Sequence, residues 1–310
     1  MVRIIGFLVG LGFAGVLLIS MIGDALTYFS SPPEETAEHE FHREAKALKL
    51  SSDGPLGTFD KAQLQRGLKV YTEVCAGCHG INLVSFRNLH DLGYTEGQIK
   101  GFANDQWKIE VPTINPETGE PATRKPVLAD RFPNPYANET AARAANNNAF
   151  PPDLSLMAKA REGGAPYIYS LLTGYQKQPA ELLKKFPAAK TPEGLHYNPY
   201  FANLNIAMPP PLTADGQVTY EGEGAPAATV DQMAKDVSAF LLWTAEPKLE
   251  ARKRTGLTVL IFLLIGTILG YFAYQNVWAE AKRGVRKTGV LDPKNKAKNA
   301  RAKAQAGVKG

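Results

Sequence analysis

The sequence predicts a mostly α-helical domain with a long loop-rich insertion, followed by a C-terminal transmembrane helix. Three observations lead there. Two segments, near residues 60–71 and 230–242, carry apolar side chains at helical spacing behind capping residues. Residues 99–200 are punctuated by proline, asparagine and glycine, as in Asn115-Pro116, Phe132-Pro133-Asn134-Pro135, Pro151-Pro152-Asp153 and Gly163-Gly164. That composition reads as short helices and loops rather than a sheet. Residues 257–279 form an apolar run with no charge, long enough to cross a hydrocarbon core of roughly 30 Å.

The first amphipathic helix follows Asp60, an N-cap with Gln63 three residues on as its partner. Leu64, Leu68 and Tyr71 line one face. Gly67 stands inside this helix, where glycine costs about 1 kcal/mol relative to alanine; a small residue there permits close approach by another helix. The second helix covers residues 230–242 behind a Thr229-x-x-Gln232 capping box, with Val230, Met233, Val237, Phe240 and Leu241 on one face. Between them, Asp153 is placed to cap a helix through Leu154, Met157 and Ala158. Residues 30–58, acidic and broken by proline and glycine, read as a lead-in with one short helix.

Charge divides the chain. Residues 280–310 hold ten Lys/Arg against two acids, whereas residues 4–251 are left with a net charge of −7 out of the chain's +5. Three cations precede the apolar run, at Arg252, Lys253 and Arg254, and ten follow it. The larger cluster is expected on the cytoplasmic side and the acidic body outside. The domain reading is therefore residues 1–29 as an export signal or N-terminal anchor, 30–251 as a periplasmic domain, 252–279 as the transmembrane anchor and 280–310 as a basic cytoplasmic tail. The lysine-rich tail suits anionic lipid headgroups and calls for no nucleic acid.

The chemistry is concentrated in Cys75-Ala76-Gly77-Cys78-His79, and the chain has no other cysteine. C-x-x-C-H is the attachment signature of c-type haem: each thiol adds across one vinyl group, and the adjacent imidazole reaches the iron. A zinc site would need a second ligand pair. A thioredoxin-like pair would sit beside a βαβ pattern, and a structural disulfide rarely uses this spacing. One covalent haem c is therefore expected, on Cys75 and Cys78 with His79 as axial ligand. The order of the two amphipathic helices suits a class I c-type cytochrome, in which the first and last helices cross behind the haem.

A cytochrome of this kind needs a sixth ligand, and a thioether raises the reduction potential. The candidates are Met157, Met208 and Met233, with His39, His42, His90 and His196 as alternatives. Met233 lies on the apolar face of the last helix and Met157 at helical spacing, as core fillers do. Met208 stands in Ile206-Ala207-Met208-Pro209-Pro210-Pro211, where three prolines stiffen the backbone and reduce the entropy lost on ligation.

An ordered series of segments carries a resemblance. It includes Arg66-Gly67, Val70-Tyr71, Val74 through His79, Phe86-Arg87-Asn88-Leu89 and Ala141 through Asn147. It continues with Pro151 through Ser155, Leu171 through Tyr175, Tyr197 through Phe201, Ala207 through Pro210, Asp236-Val237 and Ala245-Glu246-Pro247. Over roughly residues 55–279 the chain resembles the cytochrome c1 family of the cytochrome bc1 complex. The resemblance implies haem on Cys75 and Cys78, His79 and Met208 as the iron's ligands, and Arg87 beside a haem propionate; Tyr94 and Arg161 also match family positions. It implies an electron-transfer subunit with no substrate chemistry of its own. The partners would be cytochrome b, a Rieske iron–sulfur protein, a soluble cytochrome c and a lipid membrane. A haem c subunit of another membrane oxidase or dehydrogenase is the alternative, followed by a haem peroxidase or a gas sensor. The chain departs from the family in its long N-terminal apolar run, and it lacks the extra cysteines that form a disulfide in some bacterial relatives.

Overall fold

The computed structural model describes residues 2–31, 35–222 and 224–288, with residue 297. The contacts divide the chain into two units, Met1–Ser51 with Phe59–Pro247 and Ser52–Thr58 with Lys248–Gly310.

The first unit opens with α1 (Val2–Ser30), an apolar helix that buries none of its side chains. The short α2 (Ala37–Phe41) starts where the Thr36 hydroxyl accepts from the His39 amide. In α3 (Lys61–Val70) the Asp60 carboxylate accepts from the amides of Ala62 and Gln63. The expected N-cap is thus present. Gln63 does not close a capping box, because its amide donates instead to Asp236 across the core. The chain then tightens through a 3₁₀ turn, Phe86–Leu92, that ends on Gly93 at φ 92°. It continues through α4 (Glu96–Gly101), which carries a complete Thr95/Gln98 capping box.

The loop-rich middle does contain strands, contrary to the expectation of loops and helices alone. β1 (Val111–Ile114) pairs antiparallel with β2 (Pro121–Arg124), with Val111 opposite Arg124. The β-branched residues Val111, Thr113, Ile114 and Thr123 favour extended backbone. Gly119, at φ 72°, closes the turn by donating its amide to the Asn115 carbonyl. Pro112 and Pro121 are tolerated because both strands are edges. Next come α5 (Glu139–Ala145), α6 (Met157–Ala160), α7 (Gly164–Leu172) and α8 (Ala180–Lys185). Asp153 does not cap α6, whose N-cap is Leu156. Its carboxylate accepts from Ser155 and from the distant Asn82 amide instead. A two-residue hairpin, β3 (His196–Tyr197) with β4 (Asn205–Ile206), precedes α9 (Val230–Ala245). Thr229 caps α9 as expected, but Gln232 turns its side chain to Asp236. The helix runs three residues past residue 242, stopping shortly before Pro247.

The mostly α architecture is held by α3 crossing α9. Leu64, Leu68 and Tyr71 meet Met233, Val237, Phe240 and Leu241 in one buried cluster. Each fully buried apolar side chain there contributes roughly 1.5–3 kcal/mol. Tyr71, Phe86, Trp107 and Phe132 extend the cluster as packed rings, with Phe86 and Phe132 stacked at 4.2 Å.

In the second unit, α10 (Leu249–Thr288) contains the apolar run. Leu249–Ala279 is long and apolar enough to cross a membrane, as is α1. The large apolar side chains along this run are exposed, from Leu257 to Trp278. The Lys253 ammonium donates to the carbonyls of Ser52 and Gly57, tying the 52–58 loop to the start of the helix. Most of the basic tail, residues 289–296 and 298–310, lies outside the described residues.

Candidate haem site

α3 delivers the motif. Its last turn widens into a π turn, Tyr71–Cys75, where the Ala76 amide donates to the Tyr71 carbonyl five residues back. Single π turns of this kind gather at functional sites because they re-aim side chains within a helix. The chain then folds on itself: the amides of Cys78 and His79 both donate to the Cys75 carbonyl. The buried Tyr71 hydroxyl donates to the His79 carbonyl at 2.9 Å. Both thiols are free; Cys75 is half-buried and Cys78 exposed. The Tyr136 hydroxyl lies 3.7 Å from Cys78 Sγ. Burial pushes the Cys75 thiol up to about 12, with Cys78 adding to the effect.

His79 is oriented by its other ring nitrogen. Nδ1 lies 2.7 Å from the Pro152 carbonyl. A carbonyl only accepts, so Nδ1 carries the proton and Nε2 keeps its lone pair. Burial holds the imidazole below the usual histidine range, against the opposing pull of Pro152 and Asp153. The Pro152 segment is itself laced to the motif. Leu154 donates to the Gly80 carbonyl at 2.8 Å, Asn82 to Asp153 at 2.7 Å and Leu83 to the Ser155 hydroxyl at 3.0 Å. Gly80 lies close against the side chains of this turn: a Cβ there would stand 2.5 Å from Asn134 Oδ1.

Met208 enters from a separate ribbon, two residues beyond β4, and is half-buried. Its carbonyl accepts from the Tyr175 hydroxyl at 3.1 Å. The other ligand candidates have different surroundings. Met233 is fully buried in the α3–α9 core, and Met157 packs against the same core from the start of α6. His39 and His42 belong to α2 and its C-cap. His90 Nδ1 faces the Tyr94 carbonyl at 2.9 Å, and His196 pairs with Ile206. Arg87 is exposed on the 3₁₀ turn, its amide donating to the Leu128 carbonyl. No described contact ties its guanidinium to the Cys75–His79 turn. Tyr94 packs at the edge of the core, and Arg161 is exposed.

The sequence profile of the Cytochrome C1 family matches residues 50–281. The chain belongs to the cytochrome c1 family. It is 46% identical over 238 residues to the cytochrome c1 of Rhodospirillum rubrum, covering 74% of this chain and 85% of that one. Over 275 residues it is 42% identical to the protein of Arabidopsis thaliana named cytochrome c1 1, heme protein, mitochondrial, covering 89% and 82%. It is also 47% identical over 248 residues, 75% of this chain, to the cytochrome b/c1 of Bradyrhizobium diazoefficiens; there the match spans only 35% of the relative's length.

The cytochrome c1 residues present here fit a c-type haem. Two unpaired thiols share one turn with an imidazole whose Nε2 is left available, and a half-buried thioether stands on a proline-stiffened ribbon. Cys75 and Cys78 would hold the group covalently, with His79 and Met208 as iron ligands. Several supports escaped the sequence reading: the Pro152 carbonyl, the Tyr71, Tyr136 and Tyr175 hydroxyls, and the double role of Asp153. A carbonyl acceptor carries no signal in residue type. The tyrosines stand in the motif segments, but nothing in their spacing names their partners.

Proposed function

We propose that this member of the cytochrome c1 family is the haem c subunit of a quinol–cytochrome c reductase. It would relay single electrons from a Rieske iron–sulfur protein to a soluble cytochrome c, while cytochrome b carries quinol oxidation. The observation that carries this reading is the commitment of His79 Nδ1 to the Pro152 carbonyl, which leaves the Nε2 of a histidine beside two free thiols oriented and available to a metal.

When bound, the haem supplies a one-electron couple. The chain's own residues supply the rest. Cys75 and Cys78 tether the group. Pro152 fixes the His79 tautomer, and burial keeps the imidazole neutral. Met208 offers a neutral thioether, which favours the reduced form of the couple. Arg87 is assigned to a propionate, where a guanidinium and a carboxylate pair through charge-assisted hydrogen bonds. The apolar stretch of α10 anchors the subunit, with the haem domain on the periplasmic side and the basic tail in the cytoplasm. α1 serves as an export signal or as a second anchor. The acidic body would draw in a basic cytochrome c by long-range attraction.

Purification in mild detergent with haem staining tests the assignment. The covalently haem-stained chain should copurify with a cytochrome b and an iron–sulfur protein. Recovery without either partner contradicts membership of such a complex. Oxidation by soluble cytochrome c should slow as ionic strength rises, and a salt-independent rate contradicts electrostatic capture.

A further inference from the structure

The segment that presents Met208 cannot be held in the usual way. Pro209, Pro210 and Pro211 have no amide hydrogen, so no backbone donor fixes them. A residue before proline is restricted to extended backbone, which opens the segment's carbonyls to side-chain donors. The carbonyls are the handles, and two side chains grip them. The Tyr175 hydroxyl donates to the Met208 carbonyl at 3.1 Å, and the Gln217 amide donates to the Pro211 carbonyl at 2.8 Å.

Tyr175 is itself rigidly placed. It follows Gly174, where a Cβ would stand 2.4 Å from the Tyr200 ring and 2.6 Å from the Ser170 carbonyl. The fully buried Asn198 donates its amide to the Leu171 carbonyl at 2.8 Å. Its backbone amide donates to the Leu204 carbonyl, also at 2.8 Å. Asn198 thereby bolts the end of α7 to the hairpin that leads to Met208. On the other side, the Lys46 ammonium donates to the carbonyl and hydroxyl of Thr173 at 3.1 and 2.7 Å.

We infer that Tyr175 is a positioning residue for the iron's sixth ligand: its hydroxyl, donated to the Met208 carbonyl, orients the ribbon so that the thioether is held toward the metal. The inference rests on Met208 being that ligand. Tyr175 touches neither iron nor porphyrin in this role; it acts through the Met208 main chain.

The test uses the full-length, haem-loaded protein and four preparations: wild type, Tyr175→Phe, Tyr169→Phe and Met208→Leu. Tyr169 is on α7 and bonds Asp231 rather than the Met208 ribbon, so Tyr169→Phe reports general loosening of that helix. The readouts are the far-red methionine-to-iron charge-transfer band and the displacement of methionine from ferrous iron by carbon monoxide. Tyr175→Phe should weaken or shift the band and ease displacement by about two- to tenfold, the worth of one neutral hydrogen bond. Tyr169→Phe should change neither. Equal behaviour of Tyr175→Phe and wild type, or of the two tyrosine variants, overturns the inference. If Met208→Leu keeps the band, the ligation reading fails first and takes this inference with it. If Tyr175→Phe does not accumulate, the wild type still decides through its infrared spectrum after carbonyl-¹³C methionine labelling. The component lost in Met208→Leu should lie at a hydrogen-bonded frequency, and a free-carbonyl frequency overturns the inference.

Discussion

A Cβ built on Gly67 would stand 2.2 Å from the Asp236 carbonyl oxygen and 2.6 Å from Phe240 Cβ. α3 and α9 therefore cross at a point where no side chain fits between their backbones. Helix propensity and packing make opposite predictions for Gly67→Ala. Propensity alone gives a gain of about 1 kcal/mol. Forcing apart two well-packed helices costs about 1–3 kcal/mol, and relief is poor because the obstructing atoms are backbone. Denaturant unfolding of the haem-loaded protein should show net destabilisation; a stabilised Gly67→Ala would contradict the close crossing.

The same crossing buries a charge. The Asp236 side chain is fully buried, and its carboxylate accepts from Arg66 Nε at 2.9 Å and Nη2 at 3.2 Å, from Gln63 at 3.1 Å and from Gln232 at 2.8 Å. Removing one member of such a pair leaves an uncompensated group. Asp236→Ala should cost about 3–5 kcal/mol, and Asp236→Ala with Arg66→Met less than the sum of the two single changes. Additive losses in a double-mutant cycle would show that the pair is not coupled.

The 124–130 loop should be sensitive to acid. Arg124 binds the Asp130 carboxylate through two nitrogens, at 2.5 and 2.9 Å, and the Val127 amide donates to it at 2.7 Å. The Arg124 hydrogen bond holds the Asp130 carboxyl below the usual carboxylate range. A depressed carboxylate stabilises the folded loop above its unfolded pKa of about 3.9, and that contribution fades as pH falls through the lower folded value. The pair is partly exposed, so the effect is modest and weakens with salt. The protection of the Val127 amide against hydrogen exchange, taken relative to its intrinsic rate at each pH, should fall on acidification below about pH 4, and Asp130→Asn should show the low protection already at neutral pH. Unchanged protection in both would remove the ion pair from the loop's stability.

The C-x-x-C-H turn, the two capped helices and the membrane-length run were legible because each is local. Capping, periodicity and attachment spacing all act within a few residues. Gly67 was legible as a crossing point, since a glycine inside an amphipathic helix has few other uses. The partners of Gln63, Gln232 and Asp153 were not. Two residues expected to serve local caps are drawn to Asp236, one of them across 173 positions of chain. Asp153 reaches back to Asn82, 71 positions away. A hydrogen bond that satisfies a buried charge or ties down a turn outweighs a solvent-exposed cap, and spacing does not reveal such partners. The β1–β2 hairpin was missed because its prolines weigh against strands, although both of its strands are edges.

The coordination of iron in Met208→Leu protein is the decisive measurement. Covalent haem should survive on Cys75 and Cys78, while the far-red methionine-to-iron band disappears, carbon monoxide binds the reduced form and the midpoint potential falls. An unaltered band and midpoint would remove Met208 from the iron. Protein carrying no covalent porphyrin in either form would contradict the haem assignment itself.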